Sequence, residues 1–170
     1  MSFVEILQEY FRGEKHLGIA LAVVGVAALA GAFWVFRTQS GAFAWGLLVP
    51  LAIVGAAFVG GGAFLAIRSD RQITELTAQY EKDPGALLAA EVPRMERVNA
   101  NWPRIKIAWS VVTVIALALL LAVRREWAPA VGLSLLAVTT TLLFTDVFAE
   151  RRALIYTRAL EQARAATPPP

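Results

Sequence analysis

The stretch LGIALAVVGVAALAGAFWVF, residues 17–36, decides the fold because it runs for 20 residues without a charged side chain. A helix needs about 20 apolar residues to cross the hydrocarbon core of a bilayer. Similar runs follow at 42–67, 105–123 and 128–148. Helices satisfy their backbone polar groups internally, as lipid requires. The sequence therefore predicts an all-α integral membrane protein with two antiparallel transmembrane hairpins and cytoplasmic amphipathic helices.

The composition narrows the function classes. Of 170 residues, 58% are hydrophobic and 17% are charged, whereas about half of the residues of a soluble domain are apolar and about a quarter are charged. The absence of cysteine excludes disulfide frameworks and thiolate metal sites, and the single histidine, His16, argues against an imidazole metal site. A net charge of +3 is too small to indicate nucleic-acid binding. We therefore expect a bilayer protein without metal, cofactor or nucleic-acid partner, and no enzyme.

A secretory signal peptide is the alternative interpretation of the first run. Residues 28–30 spell an A-x-A cleavage site, but the apolar run continues to Phe36. The segment ahead of it carries Glu5, Glu9 and Glu14, which a signal peptide would not favour. We expect the run to be a retained transmembrane helix.

The basic residues predict the orientation. Thirteen of the 16 Lys and Arg residues lie before the first run, between the second and third, or after the fourth, when Lys106 at the edge of the third run is included; three lie in the two short loops. Lys and Arg are enriched in cytoplasmic loops. This predicts cytoplasmic N- and C-termini, and the Arg- and Ala-rich composition indicates a bacterial inner membrane.

The chain divides into five segments by this pattern. We predict an interfacial amphipathic helix at 1–16, opened by a capping box of Ser2 and Glu5. The first hairpin covers 17–67, a cytoplasmic helical connector 68–104 and the second hairpin 105–148. A helical extension and disordered proline-rich tail complete the chain at 149–170. Segment 1–16 has an alternative, which is packing onto the chain's own cytoplasmic helices.

Small residues predict how the first hairpin packs. Transmembrane helices associate through close packing of small side chains. A tight turn near residues 39–40 pairs residues whose numbers sum to about 80, so Gly25 meets Gly55 and Gly18 meets Gly62. We assign a helix-packing role to these four glycines and to Gly60.

Polar side chains mark the second hairpin. If the turn of this hairpin is centred on Glu126, residues at equal depth have numbers that sum to 252. This register predicts an ion pair between Lys106 and Asp146 and a hydroxyl pair between Thr113 and Thr139. Asp146 is the one acid inside a predicted span, so it is a candidate functional residue, although pairing with Lys106 is the favoured interpretation. The candidate intramembrane polar site comprises Lys106, Ser110, Thr113, Thr139, Thr141, Thr145 and Asp146.

Two function classes follow. The first is a non-enzymatic membrane scaffold that forms a homo-oligomer or binds another membrane protein, which the small-residue faces favour. The second is an oligomeric channel or small-solute transporter with a polar path along the third and fourth spans. The direction in which the hydroxyl face points would separate the two classes.

Overall fold

The computed structural model describes residues 2–166. These residues form four helices, α1 (Phe3–Thr38), α2 (Ala42–Lys82), α3 (Pro84–Leu121) and α4 (Trp127–Ala166), and include no strand. All four helices are long and apolar enough to cross a membrane. The predicted all-α fold with four candidate membrane spans is confirmed.

Each helix is longer than a bilayer is thick. The helices have 36 to 41 residues, which is about 54–62 Å at the usual rise, against about 30 Å of hydrocarbon. They run without a break across the predicted segment boundaries, and α3 also continues through Pro93. We call residues 2–16, 68–104 and 149–166 the head, because these polar extensions of all four helices pack together.

Local sequence explains where the helices begin. Ser2 caps α1 in the predicted capping box, with the Glu5 backbone N–H donating to its hydroxyl at 3.3 Å. Gly41 is the last residue of the loop between α1 and α2 and has a φ of 97°, a conformation that favours glycine. The Asp83 carboxylate accepts from the Ala86 backbone at 2.9 Å, and Pro84 occupies the first position of α3.

Glycines bring α1 and α2 into backbone contact. A Cβ placed at Gly18 would lie 2.6 Å from the carbonyl oxygen of Gly62, and one placed at Gly25 would lie 2.7 Å from that of Gly55. Both predicted glycine pairs are therefore present. Gly60 is different, because no atom lies within 4 Å of a Cβ built there. Within residues 2–166, Gly60 therefore packs against no other helix, and its packing role stays a prediction.

Helix α4 contacts each of the other three helices. A Cβ at Gly132 would lie 2.7 Å from the carbonyl oxygen of Ala116 on α3, and one at Gly46 on α2 would lie 2.6 Å from that of Trp127. Small residues thus allow α4 to approach α2 and α3 closely, as in other membrane helix pairs.

The main hydrophobic core lies in the head. Leu7 and Phe11 of α1 are fully buried there, so residues 2–16 pack onto the chain's own helices, as in the alternative interpretation of this segment. The core is completed by Tyr10, Leu88, Val92, Met95, Ala153, Tyr156 and Leu160. At the C-terminus, residues 165 and 166 are helical, whereas the rest of the predicted disordered tail lies outside the described residues.

Candidate functional site

The predicted polar site on α3 and α4 is held by different partners from those expected. The Lys106 ammonium pairs with Glu150, at 2.7 Å from Oε2. The Asp146 carboxylate instead accepts a hydrogen bond from the indole Nε1 of Trp109 at 3.1 Å. The predicted ion pair between Lys106 and Asp146 is therefore wrong. Lys106 pairs with a residue one helical turn after Asp146 on α4, and Asp146 bonds to a residue about one turn after Lys106 on α3.

One geometric rule accounts for both contacts. The Cα–Cβ bond of a helical residue tilts towards the N-terminus of its helix. The side chain of Lys106 therefore leans towards the head, where Glu150 lies. Asp146 on the antiparallel α4 leans away from the head, towards Trp109. A register drawn between Cα positions neglects these opposite displacements and so selects the wrong pairs.

The hydroxyl groups do not form a shared polar path between the helices. Thr113 donates to the carbonyl oxygen of Trp109 at 2.9 Å, and Thr139 donates to that of Leu135 at 3.0 Å. The predicted hydroxyl pair between these two threonines is therefore absent. Ser110, Thr141 and Thr145 also donate to carbonyls of their own helices. This local bonding satisfies each hydroxyl without a neighbouring helix.

The head contains a buried polar network. Arg94 forms two hydrogen bonds with the Glu91 carboxylate, at 2.8 Å from Oε1 and 2.7 Å from Oε2. The Tyr156 hydroxyl donates to Glu91 Oε2 at 3.2 Å, and its ring stacks on Tyr10 with centroids 4.7 Å apart. The Arg94 guanidinium also lies 5.7 Å from the centroid of the Phe11 ring. These contacts tie α1, α3 and α4 together.

Burial sets the protonation of this network. It raises the pKa of Tyr156 well above the ordinary value of about 10, and the negative charge of Glu91 adds to the effect. Burial, together with Glu14, likewise raises the pKa of Tyr10. Burial acts to lower the pKa of Arg94, but the hydrogen bonds and charge of Glu91 outweigh it and raise that pKa overall. The head therefore holds two neutral phenols and a compensated ion pair.

None of the residues of this network was among the predicted site residues. Acidic and basic residues alternate around Glu91 in the sequence, a pattern typical of a solvated charged face. The structure leaves Glu91 only 5% exposed. Its position between Leu88 and Met95, on the apolar stripe of the same helix, was the available signal. Within the described residues no group of three His, Cys, Asp or Glu could hold a metal ion.

Gly60 belongs to an exposed face of α2 that packs on no other helix within the described residues. We call this face, formed by Ile53, Ala56, Ala57, Gly60, Phe64 and Ile67, the outer face of α2; all six residues are exposed. Its centre consists of small side chains, and open space lies in front of Gly60. Gly55 and Gly62, on the opposite side of α2, already contact α1.

Comparisons with protein-family models, curated proteins and solved structures find no match, so the chain's own geometry supplies the evidence for its function.

Proposed function

We propose that this protein is a non-enzymatic membrane scaffold that self-associates through the outer face of α2. The observation that carries the proposal is the open space in front of Gly60, flanked by Ala56 and Ala57. A helix pair needs such a surface for close backbone approach. The proposed setting is the bacterial cytoplasmic membrane with both termini in the cytoplasm, as the distribution of basic residues favours.

The two sides of α2 support the proposal by their similarity. Gly55 and Gly62 on its inner side allow the backbone of α1 to come within van der Waals contact. Gly60 and its alanine neighbours repeat that small-residue chemistry on the outer side. Because lipid tails are as apolar as leucine, helices in a bilayer gain little from apolar burial and associate through close packing. A second copy of α2 would supply the complementary small face.

The polar groups of the chain favour a scaffold over a catalyst. The Glu91 carboxylate accepts hydrogen bonds from both Arg94 and Tyr156 within the head core. Such mutual satisfaction stabilises a helix assembly and leaves little capacity for proton transfer to a substrate. We rank the channel or transporter second, because the hydroxyls of α3 and α4 bond to their own helices.

Single-cysteine cross-linking tests the proposal in native membranes. The chain has no cysteine, so each introduced thiol reports alone. Gly60→Cys should form a disulfide-linked dimer under mild oxidation, because a bridge requires Cα atoms about 4.4–6.8 Å apart. Val114→Cys on α3, at a side chain 65% exposed, is the matched control and should stay monomeric. Equal cross-linking at both positions, or none at Gly60, would contradict association through the outer face of α2.

A further inference from the structure

Arg152 occupies a crevice between α1 and α4 at the base of the head. A Cβ placed at Gly13 would lie 2.5 Å from its Cδ and Nε, so glycine at that position leaves room for the arginine side chain. Its Nε and one terminal nitrogen, Nη2, are buried and have no hydrogen-bond partner among residues 2–166. Arg152 as a whole is only half-buried, so its crevice opens to the surface. Because unpaired buried donors are costly, a small rotation of this flexible side chain that brings them to a ligand outside the chain would be favourable.

Two basic residues at the same level of the other helices have ion-pair partners. Lys15 of α1 pairs with Asp70 of α2 at 2.8 Å, and Lys106 of α3 pairs with Glu150 of α4 at 2.7 Å. Within residues 2–166, no carboxylate lies within 4 Å of Arg152. Water could complete the hydrogen bonds of the guanidinium but would leave its charge uncompensated. An anion satisfies both requirements.

The position of Arg152 indicates which anion. It follows Phe148, the last residue of the fourth predicted span, by one helical turn, or about 6 Å. With the spans in a bilayer, this places the guanidinium at the level of the lipid headgroups. The planar donor fork of arginine matches the oxygens of a phosphate. We propose that Arg152 binds the phosphate of an anionic phospholipid in the crevice beside Gly13.

Native mass spectrometry of the full chain tests this site. The protein is first reconstituted into phosphatidylcholine nanodiscs containing a minority of phosphatidylglycerol, and the phosphatidylglycerol retained after release is then counted. Arg152→Gln should weaken retention about tenfold, the effect of losing one charge-assisted contact of roughly 1.4 kcal/mol. Arg151→Gln is the matched control, because it removes the same charge from an exposed neighbouring residue, and it should retain the lipid.

A second variant distinguishes loss of the lipid site from misfolding. Gly13→Ala places a methyl group against the flexible end of Arg152, which can move aside, so the fold should survive while retention falls. Equal loss in both arginine variants would overturn the proposal, because it would indicate general attraction by positive charge. Equal retention of phosphatidylcholine would also overturn it. Displacement of the lipid by inorganic phosphate from wild type but not from Arg152→Gln would overturn it as well, since that result would identify a site for a soluble anion.

Discussion

The replacement of Gly25 by alanine tests the packing of α1 against α2. The added Cβ would lie 2.7 Å from the carbonyl oxygen of Gly55 and 2.9 Å from the Cβ of Phe58. Non-bonded carbon atoms pack at about 3.5–4.0 Å, so the two helices would have to separate by roughly 1 Å. A gap of that size forfeits about a quarter to a half of the dispersion energy of each affected contact.

Gly31 provides the matched control because it lies on the same helix and no atom lies within 4 Å of a Cβ built there. Alanine at either position gains the same helix propensity, about 1 kcal/mol. The difference between the two variants therefore isolates packing. We expect Gly25→Ala to be less stable than Gly31→Ala by about 1–3 kcal/mol, the usual cost of overpacking.

Unfolding of the reconstituted protein by SDS in mixed micelles measures this difference, with tryptophan fluorescence as the signal. Gly31→Ala should unfold at the same SDS fraction as wild type or a higher one, and Gly25→Ala at a lower one. Equal stability of the two variants would refute the backbone contact between α1 and α2. A large loss in Gly31→Ala alone would refute the assignment of Gly31 to an open face.

Three further predictions concern polar contacts. Glu91→Ala should lower the stability of the head by about 2–4 kcal/mol, because it leaves Arg94 largely buried without its partner; hydrogen exchange of head amides measures this loss. Lys106→Glu should destabilise the chain by up to about 1 kcal/mol, with rescue in SDS unfolding by Glu150→Lys and not by Asp146→Lys. Head stability should fall above about pH 10, since the stacked tyrosines ionise there in the unfolded state while their raised pKa keeps them neutral when folded; tyrosinate absorbance should therefore appear together with unfolding.

Features set by local pattern were predictable from the sequence. Long uncharged runs identify membrane-spanning helices because the bilayer imposes both length and composition. The short turn at residues 39–41 fixes the register of the first hairpin, so two glycine pairs could be named in advance. Glycine has no side chain to displace the contact from the level of its Cα, and this is why the simple register succeeded there.

Features set by side-chain direction and tertiary packing were not predictable. The long side chain of Lys106 extends towards the head, so its ion pair with Glu150 lies one helical turn from the position that the Cα register gave. Glu91 is buried because three helices converge on it, which no single helix reveals. Gly60 and Gly62 look alike in the sequence, and only the rotation of α2 against α1 determines which of them faces solvent or lipid.

The mass of the native protein in phosphatidylcholine nanodiscs tests self-association most directly. We expect a dimer or a larger discrete oligomer for wild type, and a monomer for Gly60→Leu, whose side chain would block the outer face of α2. Ile53→Leu, a nearly volume-conserving change on the same exposed face, should keep the wild-type mass. A monomeric wild type, or a Gly60→Leu variant with an unchanged oligomeric mass, would contradict the account.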